Sequence, residues 1–289
     1  MIPLLLALAA GQNIAPVPPA ADTAVEARYR ACAASVRTDP ARAIEQASAW
    51  QAQGGGFQAR QCLGLAYVAL ERWADAAALY EQAARDADSA QAPYHADLWV
   101  QAGNAWIAAG DNTRALSALD AALATQNLSE ELRGEVHLDR ARVLVQTGNL
   151  TGARQDLDRA LQLVPTDPMA WYLSAALAQR RNDLTRAQAD IQRALQLAPN
   201  EPDIMLLAGT LAGQGGNMTE AERLYRRIVA TAPDSEAGRA ARASLETLRE
   251  VEVPVPAQGA QQTPAAQQPV PPQQQAPAPQ QPAPQPQSR

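Results

Sequence analysis

Residues 134–235 read GEVHLDRARVLVQTGNLTGARQDLDRALQLVPTD (134–167), PMAWYLSAALAQRRNDLTRAQADIQRALQLAPNE (168–201) and PDIMLLAGTLAGQGGNMTEAERLYRRIVATAPDS (202–235). Written one beneath another, the segments agree column by column at an interval of 34 residues. Pro165, Pro199 and Pro233 align, as do Ala153, Ala187 and Ala221, and Ala160, Ala194 and Ile228. Asn149, Asp183 and Asn217 align, followed by Leu150, Leu184 and Met218. His137, Trp171 and Met205 share a column, and four residues on stand Ala141, Ala175 and Gly209. A period of this length marks stacked supersecondary units.

The columns continue upstream with two offsets. Trp99, Gly103, Trp106, Gly110, Asp111, Ala115, Leu119 and Ala122 fill them in 96–129, separated from 134–167 by an insertion at 130–133. Leu63, Gly64, Tyr67, Trp73, Ala76, Tyr80 and Ala83 fill them in 57–90, followed by an insertion at 91–95. Residues 24–56 form a divergent unit. Val25, Tyr29, Cys32 and Val36 make a helical stripe, and Asp39-Pro40 supplies a cap and first turn for a second helix. After the last unit, Ala237, Ala241, Leu245 and Leu248 line one face of an expected capping helix over 235–251.

Each column has a physical reason. Small residues at Gly64, Gly103, Ala141, Ala175 and Gly209 let the first helix of a unit approach its second closely. Ala76, Ala115, Ala153, Ala187 and Ala221 do the same from the other side. Gly110-Asp111 and Gly148-Asn149 carry helix-ending and helix-starting chemistry. The prolines at 165, 199 and 233 stop the second helix. Trp99, Trp171, Tyr67 and Trp106 supply bulk between units. This pattern resembles the tetratricopeptide repeat, a helix–turn–helix unit, across about 57–235. The resemblance implies an all-α fold, a right-handed superhelical solenoid of antiparallel helix pairs. One pair cannot bury its apolar face alone, so the stack is the folding unit.

Composition removes several chemistries. The chain has 289 residues, 24 arginines, no lysine, two histidines and two cysteines. No Schiff-base lysine or P-loop lysine exists. No G-x-S-x-G motif supplies a nucleophilic serine, and no spacing marks a metal or cofactor site. His137 falls in a packing column and His95 in the 91–95 insertion, where it reads as a loop residue. Acidic pairs such as Asp86 and Asp88 are ordinary for a solvated helix. Net charge is −6, with arginine interleaved with acid, which argues against a nucleic-acid binder.

The ends differ from the middle. Leu4–Ala10 is a short apolar run followed by small residues and a proline-rich stretch, so 1–23 reads as a signal peptide and leader cleaved after Ala9, Ala10 or Gly11. No basic residue precedes the run. It is too short for a bilayer of roughly 30 Å, and no later segment is apolar for long enough. Export to the periplasm or beyond is the expectation, with a cytoplasmic chain as the alternative. Residues 252–289 hold eleven of the 22 prolines and twelve glutamines, the composition of a disordered tail. PxxP spacings such as Pro279 to Pro282 read either as a ligand for an aromatic groove or as a spacer.

The resemblance implies a non-enzymatic scaffold that binds a protein or peptide along a concave face lined by the first helices. On this chain those columns are Gln58, Gln61, Leu65, Asp97, Asn104, Glu135, Leu138, Arg142, Gln146, Tyr172, Gln179, Arg180, Asp203 and Thr210. The set is mixed in charge. It lacks the lysines with which some family members hold a chaperone C-terminus, and Glu135 would repel a carboxylate. Arg142 with Arg180 either holds an isolated carboxylate or pairs with Glu135, Asp139 or water. Cys32 and Cys62 lie on first helices of neighbouring units. Export favours a disulfide between them, given Cα atoms within about 7 Å; a reducing compartment favours two small buried thiols. The alternative function is an assembly subunit of an envelope complex, acting through self-association or the tail.

Overall fold

The Asn/Asp column caps the second helix of its unit. Asp111, Asn149, Asp183 and Asn217, with Asp39 in the divergent unit, accept a hydrogen bond from the backbone N–H three residues on, at 2.9–3.2 Å. One residue earlier the chain turns through left-handed φ, at Gly110 (77°), Gly148 (83°) and Gly216 (83°), with Asn182 (61°) in the same column. Glycine meets that φ without a Cβ penalty, and asparagine tolerates it. A helix stop and a helix start are therefore compressed into a few residues, which forces the two helices antiparallel.

The computed structural model describes residues 20–252 except 93, 94 and 127. Thirteen helices follow: α1 (Ala20–Thr38), α2 (Pro40–Ala52), α3 (Gly56–Ala69), α4 (Trp73–Ser89), α5 (His95–Ala108), α6 (Asn112–Ala124), α7 (Glu130–Gln146), α8 (Leu150–Leu163), α9 (Pro168–Arg180), α10 (Leu184–Leu197), α11 (Pro202–Gln214), α12 (Met218–Thr231) and α13 (Glu236–Glu252). No strand occurs among the described residues. Helices α1 to α12 pair in order, and each pair packs on the next in a right-handed superhelical solenoid. Ala237 and Ala241 of α13, flanked by Leu245 and Leu248, close the core of the last two units. The chain divides into two units, Met1–Leu248 and Arg249–Arg289. The signal-like run lies outside the described residues, and so does the Pro/Gln tail apart from Glu252.

Three boundaries depart from the sequence reading. Ala20–Asp22 and Thr23, read as leader, begin α1. The insertion 130–133 is the first turn of α7, not a separate spacer. Ser129 Oγ accepts the Leu132 N–H at 3.2 Å, and Glu130 and Glu131 complement the helix dipole. Arg133 then donates to the Leu123 and Thr125 carbonyls at 2.9 and 3.1 Å, capping the end of α6. His95 is no loop residue: it opens α5, with Nδ1 2.8 Å from Asp88 Oδ1.

Inside each unit a small residue faces a large one. Gly64 faces Tyr80, Gly103 faces Leu119, and Gly209 faces Tyr225. A Cβ at Gly64 would stand 2.7 Å from the Tyr80 ring, and one at Gly209 2.6 Å from the Tyr225 ring. Where the small residue is Ala141 or Ala175, the matching column holds Leu157 or Ile191. Between units, the indoles of Trp99 and Trp171 donate to Asp88 Oδ2 and the Pro165 carbonyl, each at 2.9 Å. Trp106 is buried and donates to Glu81 Oε1 at 2.7 Å.

Among the described residues two aspartates are buried. Asp156 contacts His137 Nδ1 at 2.9 Å and accepts from Arg140 Nε and Nη2 at 2.8 and 2.7 Å. Arg140 also reaches Asp120 on α6. Burial raises the Asp156 carboxyl, but hydrogen bonds from His137 and Arg140, with the Arg140 charge, outweigh it and hold the group below its usual value. One unit later Asp190 accepts from Ser174 Oγ and pairs with Arg186. At the other end, a disulfide joins Cys32 of α1 to Cys62 of α3, Cα–Cα 6.2 Å, in a cluster with Ala47 and Leu63.

These arrangements set three expectations. A bridge between cysteines 30 residues apart removes about 3–4 kcal/mol of chain entropy from the unfolded state. Cys32→Ser/Cys62→Ser should lose stability on that scale in urea titration, and wild-type stability without the bridge would remove it as the tether of α1. Gly209→Ala should destabilise by about 1–2 kcal/mol, overpacking outweighing the gain in helix propensity. In a Tyr225→Leu background it should become neutral or stabilising, and the same cost in both backgrounds would refute the pairing. For Asp156, a depressed folded value means stability that is complete above the unfolded value and lost as pH falls through the folded one. The gap between wild type and Asp156→Asn should hold from neutral pH down to about 5 and close below about pH 4.

Candidate functional site

Because each unit ends in a short turn, first helices lie beside first helices. Helix α5 packs on α7, α7 on α9, and α9 on α11, while no pair of second helices packs comparably among the described residues. Hydrogen bonds stitch the row. Gln61 Nε2 donates to Gln101 Oε1 at 3.4 Å from α3 to α5. Arg180 Nη1 donates to the Val145 carbonyl at 3.4 Å from α9 to α7. Gln179 Nε2 donates to Gln214 Oε1 at 3.1 Å from α9 to α11. The first helices form one inner surface, and every residue of the projected set lies on one of them.

Clefts interrupt this surface, and two of them, formed by described residues, gather residues of the projected set. The first, about 440 Å³, gathers Gln58, Gln61 and Asp97 around Tyr29, Phe57, Val100, Gln101 and Leu132, with Glu26 at its edge. Burial, and then the Glu26 charge, raises the Tyr29 phenol, which stays neutral. The second, about 340 Å³, lies between α7 and α9. Its apolar walls are Ala141, Val145, Leu157, Leu173, Ala176 and Leu177, and Arg142, Gln146 and Arg180 complete the lining. The two arginines singled out by sequence thus share one cleft.

Arg142 is already engaged, its Nη1 2.7 Å from Asp139 Oδ1. Asp139 is mostly buried; burial raises its carboxyl, opposed by Arg142 and a hydrogen bond from Asn104, with Glu135 adding to the rise. Asn104, Glu135 and Arg142 therefore converge on Asp139 across α5 and α7. Among the described residues Arg180 has no ion-pair partner.

The remaining projected residues divide. Leu138, 3% exposed, belongs to the core with Ala141 and Leu157, so its side chain offers nothing to a partner. Thr210 is committed internally, donating to the Leu206 carbonyl at 3.0 Å and accepting from Tyr225 Oη at 3.3 Å. Leu65 is half-buried. Tyr172 is half-buried beside the exposed Asp203; burial first and the Asp203 charge second raise its phenol. Tyr29, Phe57 and Gln101 escaped the projection. Tyr29 sits in the divergent unit, and neither Phe57 nor Gln101 occupies a projected column. Among the described residues no group of His, Cys, Asp or Glu is arranged to hold a metal ion, and no helix is long and apolar enough to cross a membrane.

Comparison with known proteins agrees with this geometry. The sequence profile of the tetratricopeptide repeat matches residues 62–127, 100–168 and 172–236. Comparison with functionally curated sequences finds no match. Among solved structures, PilF of Pseudomonas aeruginosa superposes with a TM-score of 0.63 at 16% identity, covering 77% of this chain and 98% of that one. PilW, described as a widely conserved type IV pilus biogenesis factor, gives 0.62 at 18%, covering 78% and 98%. YrrB gives 0.50 at 18%, covering 68% and 96%. At such identities the likeness is one of fold alone. Family membership rests on the profile, which spans more than half the sequence and meets the same capped turns and small–large helix contacts the structure displays: the chain belongs to the tetratricopeptide repeat family.

Proposed function

We propose that the protein is a non-enzymatic scaffold that binds a peptide or protein segment along the inner face of its first helices. The observation that carries this reading is the cleft between α7 and α9, which joins an apolar floor to Arg142 and Arg180. An apolar side chain buries there against Val145, Leu173 and Leu177, with Arg180 in reach of a neighbouring carboxylate or carbonyl. Burying one leucine-sized side chain is worth about 1.5–3 kcal/mol, enough to anchor a segment whose other contacts run along the amide row of Gln61, Gln101, Gln179 and Gln214. YrrB, of the same fold, is described as having an unusual peptide-binding site. Export is part of the proposal, supported by the signal-like run at 4–10 and by the Cys32–Cys62 bridge, since such bridges persist in oxidising compartments.

A second reading, a subunit of an envelope assembly, is favoured by the fold shared with PilW. Concentration-dependent mass in sedimentation would select self-association over binding by a monomer. For the first reading, a pull-down from an envelope fraction identifies the partner, and titration of the purified partner measures the face. Arg142→Ala/Tyr172→Ala/Arg180→Ala should weaken binding by about tenfold or more, near 1.4 kcal/mol. Unchanged affinity would remove the inner face from the account.

A further inference from the structure

Arg159, Arg193 and Arg227 occupy one column of the 34-residue repeat. They stand exposed on α8, α10 and α12, the second helices of the last three units. Upstream the column holds Ala121 and Gln82, so the ladder is confined to this half of the array. Its hydrogen-bond partners are neutral. Arg159 Nη1 donates to Gln162 Oε1 at 3.0 Å, Arg193 Nη1 to Gln196 Oε1 at 3.1 Å, and Arg227 Nη2 to Asn200 Oδ1 at 2.5 Å.

Several other exposed arginines of this chain behave otherwise. Arg72, Arg85, Arg114, Arg223 and Arg226 each hold a carboxylate three or four residues away. No described carboxylate forms an ion pair with any arginine of the ladder. The cause lies in the core. Helical spacing puts Asp156 three residues before Arg159 and Asp190 three before Arg193, but both are turned inward, one to His137 and Arg140, the other to Ser174 and Arg186. Before Arg227 the position is Leu224. The fold draws the neighbouring acid inside and leaves three guanidinium groups oriented by amides but not neutralised. A guanidinium in that state presents its remaining N–H groups as a fork for carboxylate.

The ladder is one arginine wide on α8 and α10; on α12 Arg226 adjoins Arg227 but is held by Glu222. Asp158 adjoins Arg159 in sequence, and Glu201 adjoins the Asn200 that holds Arg227. A nucleic-acid duplex or an anionic bilayer presents a broad field of phosphates that would meet these carboxylates as well, on a chain of net charge −6. A single acidic segment meets the arginines alone. We propose that this outer ladder is a docking surface for an acidic segment of a protein partner, with carboxylates paired to Arg159, Arg193 and Arg227. It is separate from the inner face and does not depend on it.

Fluorescence anisotropy with a labelled poly-glutamate peptide, at low and high salt, tests the idea on the full chain. Phosphatidylglycerol vesicles and a short DNA duplex serve as the other arms. The peptide should bind and be released by salt. Affinity should fall roughly tenfold or more in Arg159→Gln/Arg193→Gln/Arg227→Gln. It should stay within about twofold in Arg72→Gln/Arg85→Gln/Arg114→Gln, which removes the same charge elsewhere, and in Arg142→Ala/Arg180→Ala. Circular dichroism checks that each variant is folded. Absence of peptide binding, equal losses in the two arginine triples, or binding to vesicles or duplex in preference to the peptide would each overturn the proposal.

Discussion

The structure depends on how closely the two helices of one unit approach. That distance is set by one facing pair of columns, Gly64, Gly103, Ala141, Ala175 and Gly209 against Tyr80, Leu119, Leu157, Ile191 and Tyr225. In four of the five pairs the volumes compensate, glycine facing the tyrosines and alanine facing leucine or isoleucine, while Gly103 faces Leu119. Interiors are close-packed, so a pair that exceeded the available volume would push its helices apart. Each pair would then tilt its successor, and the first helices would no longer lie side by side. The inner clefts exist because this spacing is kept five times.

Buried polar groups shape the outside as much as the inside. Asp156 and Asp190 sit in the stripe that otherwise holds Ala118 and Leu224. Each needs partners to be tolerated there, and each takes them from the preceding first helix: His137 and Arg140 in one case, Ser174 in the other. These contacts tie helix to helix within the unit. They also remove two carboxylates from the surface, which changes the electrostatics of α8 and α10 where Arg159 and Arg193 stand. Core satisfaction and surface charge are one arrangement seen from two sides.

Residues whose role is local could be read from the chain. Asp111, Asn149, Asp183 and Asn217 act within three residues of themselves, and Gly110, Gly148 and Gly216 within one turn. The placement of Arg142 and Arg180 in one cleft was also legible, because both fall in columns of the first helices that face the same side, one helical turn apart on neighbouring helices. The insertion at 130–133 was not legible as helix, since only the Ser129 cap and the reach of Arg133 to α6 make it one. Leu138 was assigned to the surface by its column, but the residue is buried in one cluster with Leu157 and Leu177. Asp139, the centre on which Asn104 and Arg142 converge, has no signature of its own, and Tyr29 lies where the repeat has decayed.

By itself the sequence determined the period, the turns, the all-helical class and the pairing of helices within a unit, because these follow from contacts between residues close along the chain. It also brought Cys32 and Cys62 onto neighbouring helices. Only the tertiary structure decided which residues of a first helix face in and which face out, whether the cysteines meet, and which arginines keep a carboxylate. Those outcomes depend on helix rotation and on competition between partners 16 to 30 residues apart. A repeat pattern constrains such choices without settling them, since several partners stand within reach of each side chain and packing selects one.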